Sequence, residues 1–140
     1  MTDIQAALGS SQLERLGRYV DRRNELAARY DQLLQGLPLS LPTVLPGNRS
    51  AFHLYVVRVE RGIAAKPRRQ VFDEMRQAGI GVNVHYLPVH LQPYYRDLGF
   101  FEGQYPEAEA YAAEAITLPL YPAMTIQQQD QVVLALRNLL

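Results

Sequence analysis

His53-Leu54-Tyr55-Val56-Val57-Arg58-Val59 reads as a β-strand, its β-branched and aromatic residues set in near-alternation. Working outward toward the C-terminus, Pro67 at a first helical position opens a helix through Ala78. That helix turns Val71, Phe72 and Met75 inward and takes Gly79 as its left-handed cap. Ile80 to Tyr86 alternates Ile80, Val82, Val84 and Tyr86 against Gly81, Asn83 and His85, which predicts a second strand with Asn83 and His85 on one face. Leu87 to Phe101 is aromatic and punctuated by proline. A helix follows from about Pro106 to Ala115. Ile116 to Leu120 forms a short third strand that Pro119 restricts to an edge or an end. Thr125 with Gln128 caps a last helix running to Leu140.

Toward the N-terminus, residues 36 to 50 carry Gly36, Pro38, Pro42, Pro46 and Gly47 and read as a loop. Before it, Thr2-Asp3-Ile4-Gln5 is a capping box. Ile4, Leu8, Leu16, Val20, Ala27, Tyr30 and Leu34 then recur on one face until Gly36 and Pro38 stop the pattern. Residues 3 to 35 are therefore expected to form one helix of about 50 Å, longer than a compact domain of this size needs. Gly9 and Gly17 mark a break or a close packing contact. A helix that overshoots is expected to pack on further sequence or on a partner subunit. The class is α+β: a long N-terminal helix followed by a small three-stranded sheet covered by helices.

Composition narrows the function. Fourteen basic and fourteen acidic side chains cancel, so no global field draws nucleic acid or anionic lipid. Without cysteine there is no disulfide, thiolate nucleophile or zinc–thiolate site. No apolar run approaches the roughly 20 residues that span a bilayer, and Met1-Thr2-Asp3-Ile4 lacks the features of a signal peptide. A soluble cytoplasmic protein is expected.

The residues with chemical potential cluster late in the chain. His85 and His90 are the notable polar pair, and His53 is the remaining histidine. Nothing supplies the spacing of a metal site, so no metal is assigned. His85 reads either as a strand-end histidine satisfied by a backbone carbonyl or as a ligand-facing group feeding an irregular loop. Tyr86, Tyr94 and Tyr95 combine apolar faces with hydroxyl donors, suited to a sugar or nucleotide pocket or to packing over the sheet. Arg22-Arg23 and Arg68-Arg69 read as solvated helix surface. The glycines are scattered, so no phosphate loop forms, and no serine–histidine–acid arrangement points to a hydrolase. Lys66 is the single lysine, expected to be exposed at a helix start beside Arg68 and Arg69.

Taken together, Met1-Thr2-Asp3-Ile4-Gln5-Ala6-Ala7-Leu8-Gly9, Ser11-Gln12-Leu13, His53 to Val59, Ala78 to Arg96 and Thr117-Leu118-Pro119-Leu120-Tyr121-Pro122 resemble the C-terminal part of the DegT/DnrJ/EryC1/StrS sugar aminotransferases. The run from Val82 to Tyr95 looks most like the branch that aminates UDP-4-keto-6-deoxy-N-acetylaltrosamine in pseudaminic acid synthesis. The resemblance implies a fold-type-I transferase using pyridoxal phosphate, working as a homodimer, with glutamate as amino donor and a nucleotide-linked keto-sugar as acceptor. It implies that residues 1–36 are the helix joining the large and small domains and that residues 37–140 are the small C-terminal domain. The Schiff-base lysine, the acid paired to the pyridine nitrogen and most phosphate ligands would lie in the large domain, N-terminal to the counterpart of Met1. No catalytic or cofactor-binding residue is carried over. His85 and Tyr86, then His90 and Tyr94, are carried over as substrate-binding candidates. The chain alone is expected to be inactive, with homodimerisation or docking to a large domain as its partnership. An autonomous, non-catalytic α+β binding or dimerisation module is the alternative.

Overall fold

The sheet forms around the strand that carries Tyr55, Val57 and Val59. In the computed structural model, which describes residues 1–140, β2 (Tyr55–Val59) lies between β1 (Leu39–Ser40) and β3 (Ala115–Leu118), and both pairings are antiparallel. Tyr55 faces Leu118 and Arg58 faces Ala115 on one side, while Leu39 faces Val59 on the other. Alternation along β2 buries Tyr55, Val57 and Val59, and leaves Val56 and Arg58 half-buried. Pro119 falls immediately after the last residue of β3 and so removes no hydrogen bond from the β2–β3 ladder.

Helices complete the core. In order they are α1 (Asp3–Leu13), α2 (Leu16–Leu33), α3 (Arg68–Gln77), α4 (Pro93–Asp97), α5 (Pro106–Glu114) and α6 (Ile126–Leu139), with a short 3₁₀ turn at Val89–Leu91 before α4. Leu26 and Tyr30 of α2, Val71 and Met75 of α3, and Val132, Val133 and Leu136 of α6 join the buried strand residues in one cluster. The Tyr30 and Tyr55 rings stack at 4.9 Å and fix α2 to β2. Gln129 of α6 is fully buried, donates to the Leu26 carbonyl at 2.7 Å and accepts from Arg29 at 3.1 Å. Both expected capping boxes form, Thr2 with Gln5 and Thr125 with Gln128. Gly79 ends α3 at φ +78°, and Pro67 stands one position before the helix as its N-cap.

Four expectations are corrected. The single helix over residues 3 to 35 is two helices, interrupted at Glu14–Arg15. There the Arg15 amide turns to the Gln12 carbonyl, a tighter i−3 bond, and the Arg15 side chain bonds Ser11. The break is not at a glycine, and a Cβ placed on Gly9 or Gly17 would meet nothing within 4 Å, so neither marks close packing. Second, the strand expected over Ile80 to Tyr86 shrinks to one antiparallel bridge between Asn83 and Thr117. Both neighbouring pairs of that register are blocked: Pro119, opposite Gly81, has no N–H to donate, and the Ala115 N–H, opposite His85, bonds the Tyr111 carbonyl at the end of α5. The third strand of the sheet is instead β1, inside the segment read as loop.

Third, three of the four paired arginines tie the chain together rather than point into solvent. Arg22 donates to the Met124 carbonyl, and Arg23 to the carbonyls of Phe52, His53 and Leu120. Arg68 reaches the carbonyls of Ala112 and Ala113, capping the last turn of α5, and burial lowers its pKa. Arg69 alone is exposed, paired to Asp73. Fourth, Lys66 is half-buried at 30% side-chain exposure and bonded to Glu74 at 2.6 Å. The expected exposed lysine is part of an ion pair.

Candidate functional site

Two pieces of chain, β3 and the segment after Gly81, meet at the candidate site. The Asn83–Thr117 bridge, with both of its amide–carbonyl bonds made, brings residues 83 to 86 against β3. His85 then lies over Thr117, its Nδ1 2.8 Å from Thr117 Oγ1, while Nε2 is 3.3 Å from Asn83 Nδ2. Tyr86 follows through a cis peptide bond and presents its ring edge-on to the imidazole at 4.7 Å. Tyr86 is 71% exposed. His85 and Tyr86 thus form one unit, with an anchored imidazole and an open phenol.

His90 belongs to a different network. It is 7% exposed in the 3₁₀ turn and its Nε2 is 2.8 Å from Glu109 Oε1 in α5. The same carboxylate accepts the amides of Gly103 and Tyr105, and the Tyr105 ring meets the imidazole edge-on at 4.9 Å. The His90 bond, then the two amides, hold the Glu109 carboxyl below its ordinary range against the effect of desolvation. The two histidines of the expected pair therefore share no hydrogen-bond partner. Tyr94 is exposed and edge-on to Tyr95 at 5.4 Å, and Tyr95, Phe100 and Tyr105 continue the aromatic chain back to His90. Glu109 was missed from sequence because it lies 19 residues from His90, with nothing in the spacing to join them.

A wider cleft, about 1150 Å³, opens beside the start of α2, and none of His85, Tyr86, His90 or Tyr94 lines it. Its walls include Arg18, Arg22, Arg23, His53 and Tyr121. Arg23 shapes this edge by holding Phe52 in a positive-φ conformation (+41°), together with the Ser50 hydroxyl, which accepts the Phe52 amide.

Lys66, the single lysine, does not present a free amine to pyridoxal phosphate. An imine needs a free, neutral amine held by desolvation or neighbouring charge. Lys66 Nζ is instead committed to Glu74, whose carboxyl is lowered first by that lysine and then by Gln70. No group of three or more His, Asp or Glu side chains lies close enough to hold a metal ion. No helix is long and apolar enough to cross a membrane.

Comparison with known proteins gives a consistent picture. The model of the DegT/DnrJ/EryC1/StrS aminotransferase family matches residues 1–137. The spore coat polysaccharide biosynthesis protein SpsC of Bacillus subtilis (strain 168) is 39% identical over 142 residues, a span that takes in 99% of this chain and 36% of SpsC. The chain thus spans little more than a third of the length of this curated relative. Among solved structures, Spr1654 of Streptococcus pneumoniae, assigned as a sugar aminotransferase and solved in its PLP-form, superposes with a TM-score of 0.89. It is 34% identical, over 100% of this chain and 37% of that one. Helicobacter pylori PseC, an aminotransferase involved in pseudoaminic acid biosynthesis, shares the fold at a TM-score of 0.88 but only 23% identity, over 99% of this chain and 37% of PseC.

Proposed function

The chain belongs to the DegT/DnrJ/EryC1/StrS aminotransferase family, and from that premise we propose that it is the C-terminal part of a pyridoxal-phosphate-dependent nucleotide-sugar aminotransferase. In that reading residues 1–36 join a large domain to a small one formed by residues 37–140. The observation that carries it is the combination of 99% coverage of this chain with 36% coverage of SpsC, alongside a lone lysine already paired to Glu74. The imine-forming lysine and the cofactor's other ligands would lie outside these 140 residues. Glutamate would donate the amino group and a nucleotide-linked 4-keto-6-deoxy sugar would receive it, in a cytoplasmic homodimer. This chain's part is to present the His85–Tyr86 unit, and less directly Tyr94, to the sugar nucleotide. The His90–Glu109 bond holds the intervening turn.

The finer assignment, to the branch that acts on UDP-4-keto-6-deoxy-N-acetylaltrosamine, draws on the Val82 to Tyr95 run, and PseC at 23% identity lends it the fold alone. Turnover of that keto-sugar against other UDP-4-keto sugars by the assembled enzyme decides it.

The test begins with the purified chain, pyridoxal phosphate and borohydride. No reduced adduct on Lys66 and no amino transfer from glutamate are expected. Supplying a lysine-bearing large domain in trans, or reading such a domain from the DNA upstream of the Met1 codon, supports the proposal. A Lys66 imine that aminates a keto-sugar without any further chain sinks it. An upstream region with no such frame favours the non-catalytic module.

A further inference from the structure

We infer that His85 is a positioning residue rather than a ligand for the anionic part of a sugar nucleotide, locked as its Nδ1–H tautomer by Thr117 and Asn83 so as to orient Tyr86. The hydrogen bonds force this order. Asn83 Oδ1 is occupied by the Val84 amide, so the group that Asn83 turns to His85 is its amide nitrogen, a donor. Nε2 must therefore supply a lone pair. The ring proton then sits on Nδ1 and is donated to Thr117 Oγ1 at 2.8 Å. Thr117 is itself nearly buried on β3, and its backbone exchanges both bonds with Asn83, so the two partners of the imidazole are pinned to each other.

The consequence is chemical. A histidine that binds phosphate or carboxylate offers an N–H outward. Here the one N–H is donated into the sheet and the other nitrogen accepts from a neighbour, so no N–H is offered outward. What the imidazole does present is a fixed partner for the Tyr86 ring, in a T-shaped contact at 4.7 Å, and Tyr86 is the member of the pair left open. That Tyr86 meets a sugar or a base rests on the aminotransferase reading; the lock on His85 does not.

The experiment is a long-range ¹H–¹⁵N correlation spectrum of the histidine rings of the intact 140-residue chain, recorded at alkaline pH. His85 is assigned by its loss in a His85→Asn variant. A pyrrole-type shift at Nδ1 and a pyridine-type shift at Nε2 are expected, with a ring–ring Overhauser effect between His85 and Tyr86. Thr117→Val removes the acceptor with little change of shape, and should move the Nδ1 resonance toward the pyridine-type end and weaken the contact to Tyr86. Thr117→Ser keeps the hydroxyl and should restore both signals. An Nε2–H tautomer or averaged shifts in the unmodified chain overturn the inference, and that spectrum decides even if Thr117→Val fails to fold. Unchanged shifts in a folded Thr117→Val variant overturn it too. These readouts use no cofactor, sugar or amino transfer, so their failure is separate from failure of the proposed function.

Discussion

At the scale of single residues, Glu109 and Tyr55 each tie the stability of the fold to pH. Glu109 gathers His90 and the amides of Gly103 and Tyr105 onto one carboxylate, and its pKa is held below 4.5, first by the His90 bond. A depressed folded pKa gives stability that is complete above the unfolded value and is lost as pH falls through the folded one. Glu109→Gln should therefore lower the urea midpoint at neutral pH, with the difference from the parent chain closing in acid. Equal midpoints at neutral pH would show the carboxylate to be dispensable. Tyr55 works in the opposite direction: burial raises its phenol above 10.0, reinforced by its bond to Asp31 at 2.6 Å. Its contribution is intact below 10.0 and is lost as pH rises beyond that. Tyr55→Phe should cost about 1.5 kcal/mol, the lower end for a bond to a charged group because Asp31 is half-exposed. It should also flatten the alkaline limb of the stability curve, read by denaturant titration. Neither pairing was visible in the sequence, since each partner is defined only once helices and strands have met.

At the scale of elements, the local signals were legible and the long-range ones were not. Capping chemistry is written in four adjacent residues, so Thr2 with Gln5 and Thr125 with Gln128 could be read directly. The inward face of α3 and the alternation of β2 could be read in the same way. β1 escaped because two residues between Pro38 and Pro42 carry no period. The segment after Gly79 misled because its pairing depends on the facing strand, where Pro119 has no N–H and the Ala115 N–H is taken by Tyr111, facts that alternation within 80–86 cannot register. Arg22, Arg23 and Arg68 read as surface because their carbonyl acceptors lie on distant segments. The same is true of Gln129, a polar residue on α6 whose buried bond to the Leu26 carbonyl joins α6 to α2. Gln129→Leu keeps the volume and deletes the bond, and should cost about 0.5–1.5 kcal/mol. Gln129→Ala adds a cavity and should cost more, as measured by urea unfolding at one protein concentration. If the two variants are equal, packing around Gln129 is loose enough to collapse.

At the scale of the molecule, the unusual feature is α1, a capped helix with no buried residue. Ile4 is 83% exposed and Leu8 61%, and Leu13 and Leu16 continue the apolar surface onto the start of α2. A helix of eleven residues is marginal in water without tertiary contacts, so its exposed apolar positions suit a contact beyond those the fold of one chain makes. In the proposed enzyme that surface meets the large domain or a second subunit. The stability of the chain by itself should then ignore it. Ile4→Glu with Leu8→Glu is expected to shift the unfolding free energy by less than about 0.5 kcal/mol, as for surface positions free of contacts. Leu26→Ala, by contrast, in the core beneath α6, should cost about 2–5 kcal/mol. Urea denaturation at two protein concentrations checks both. If the double glutamate variant loses more than its allowance, and the loss grows with protein concentration, then α1 is covered by a second copy of this chain. If the loss is independent of concentration, α1 folds back on its own domain, and the overhang that supports the interdomain reading is gone.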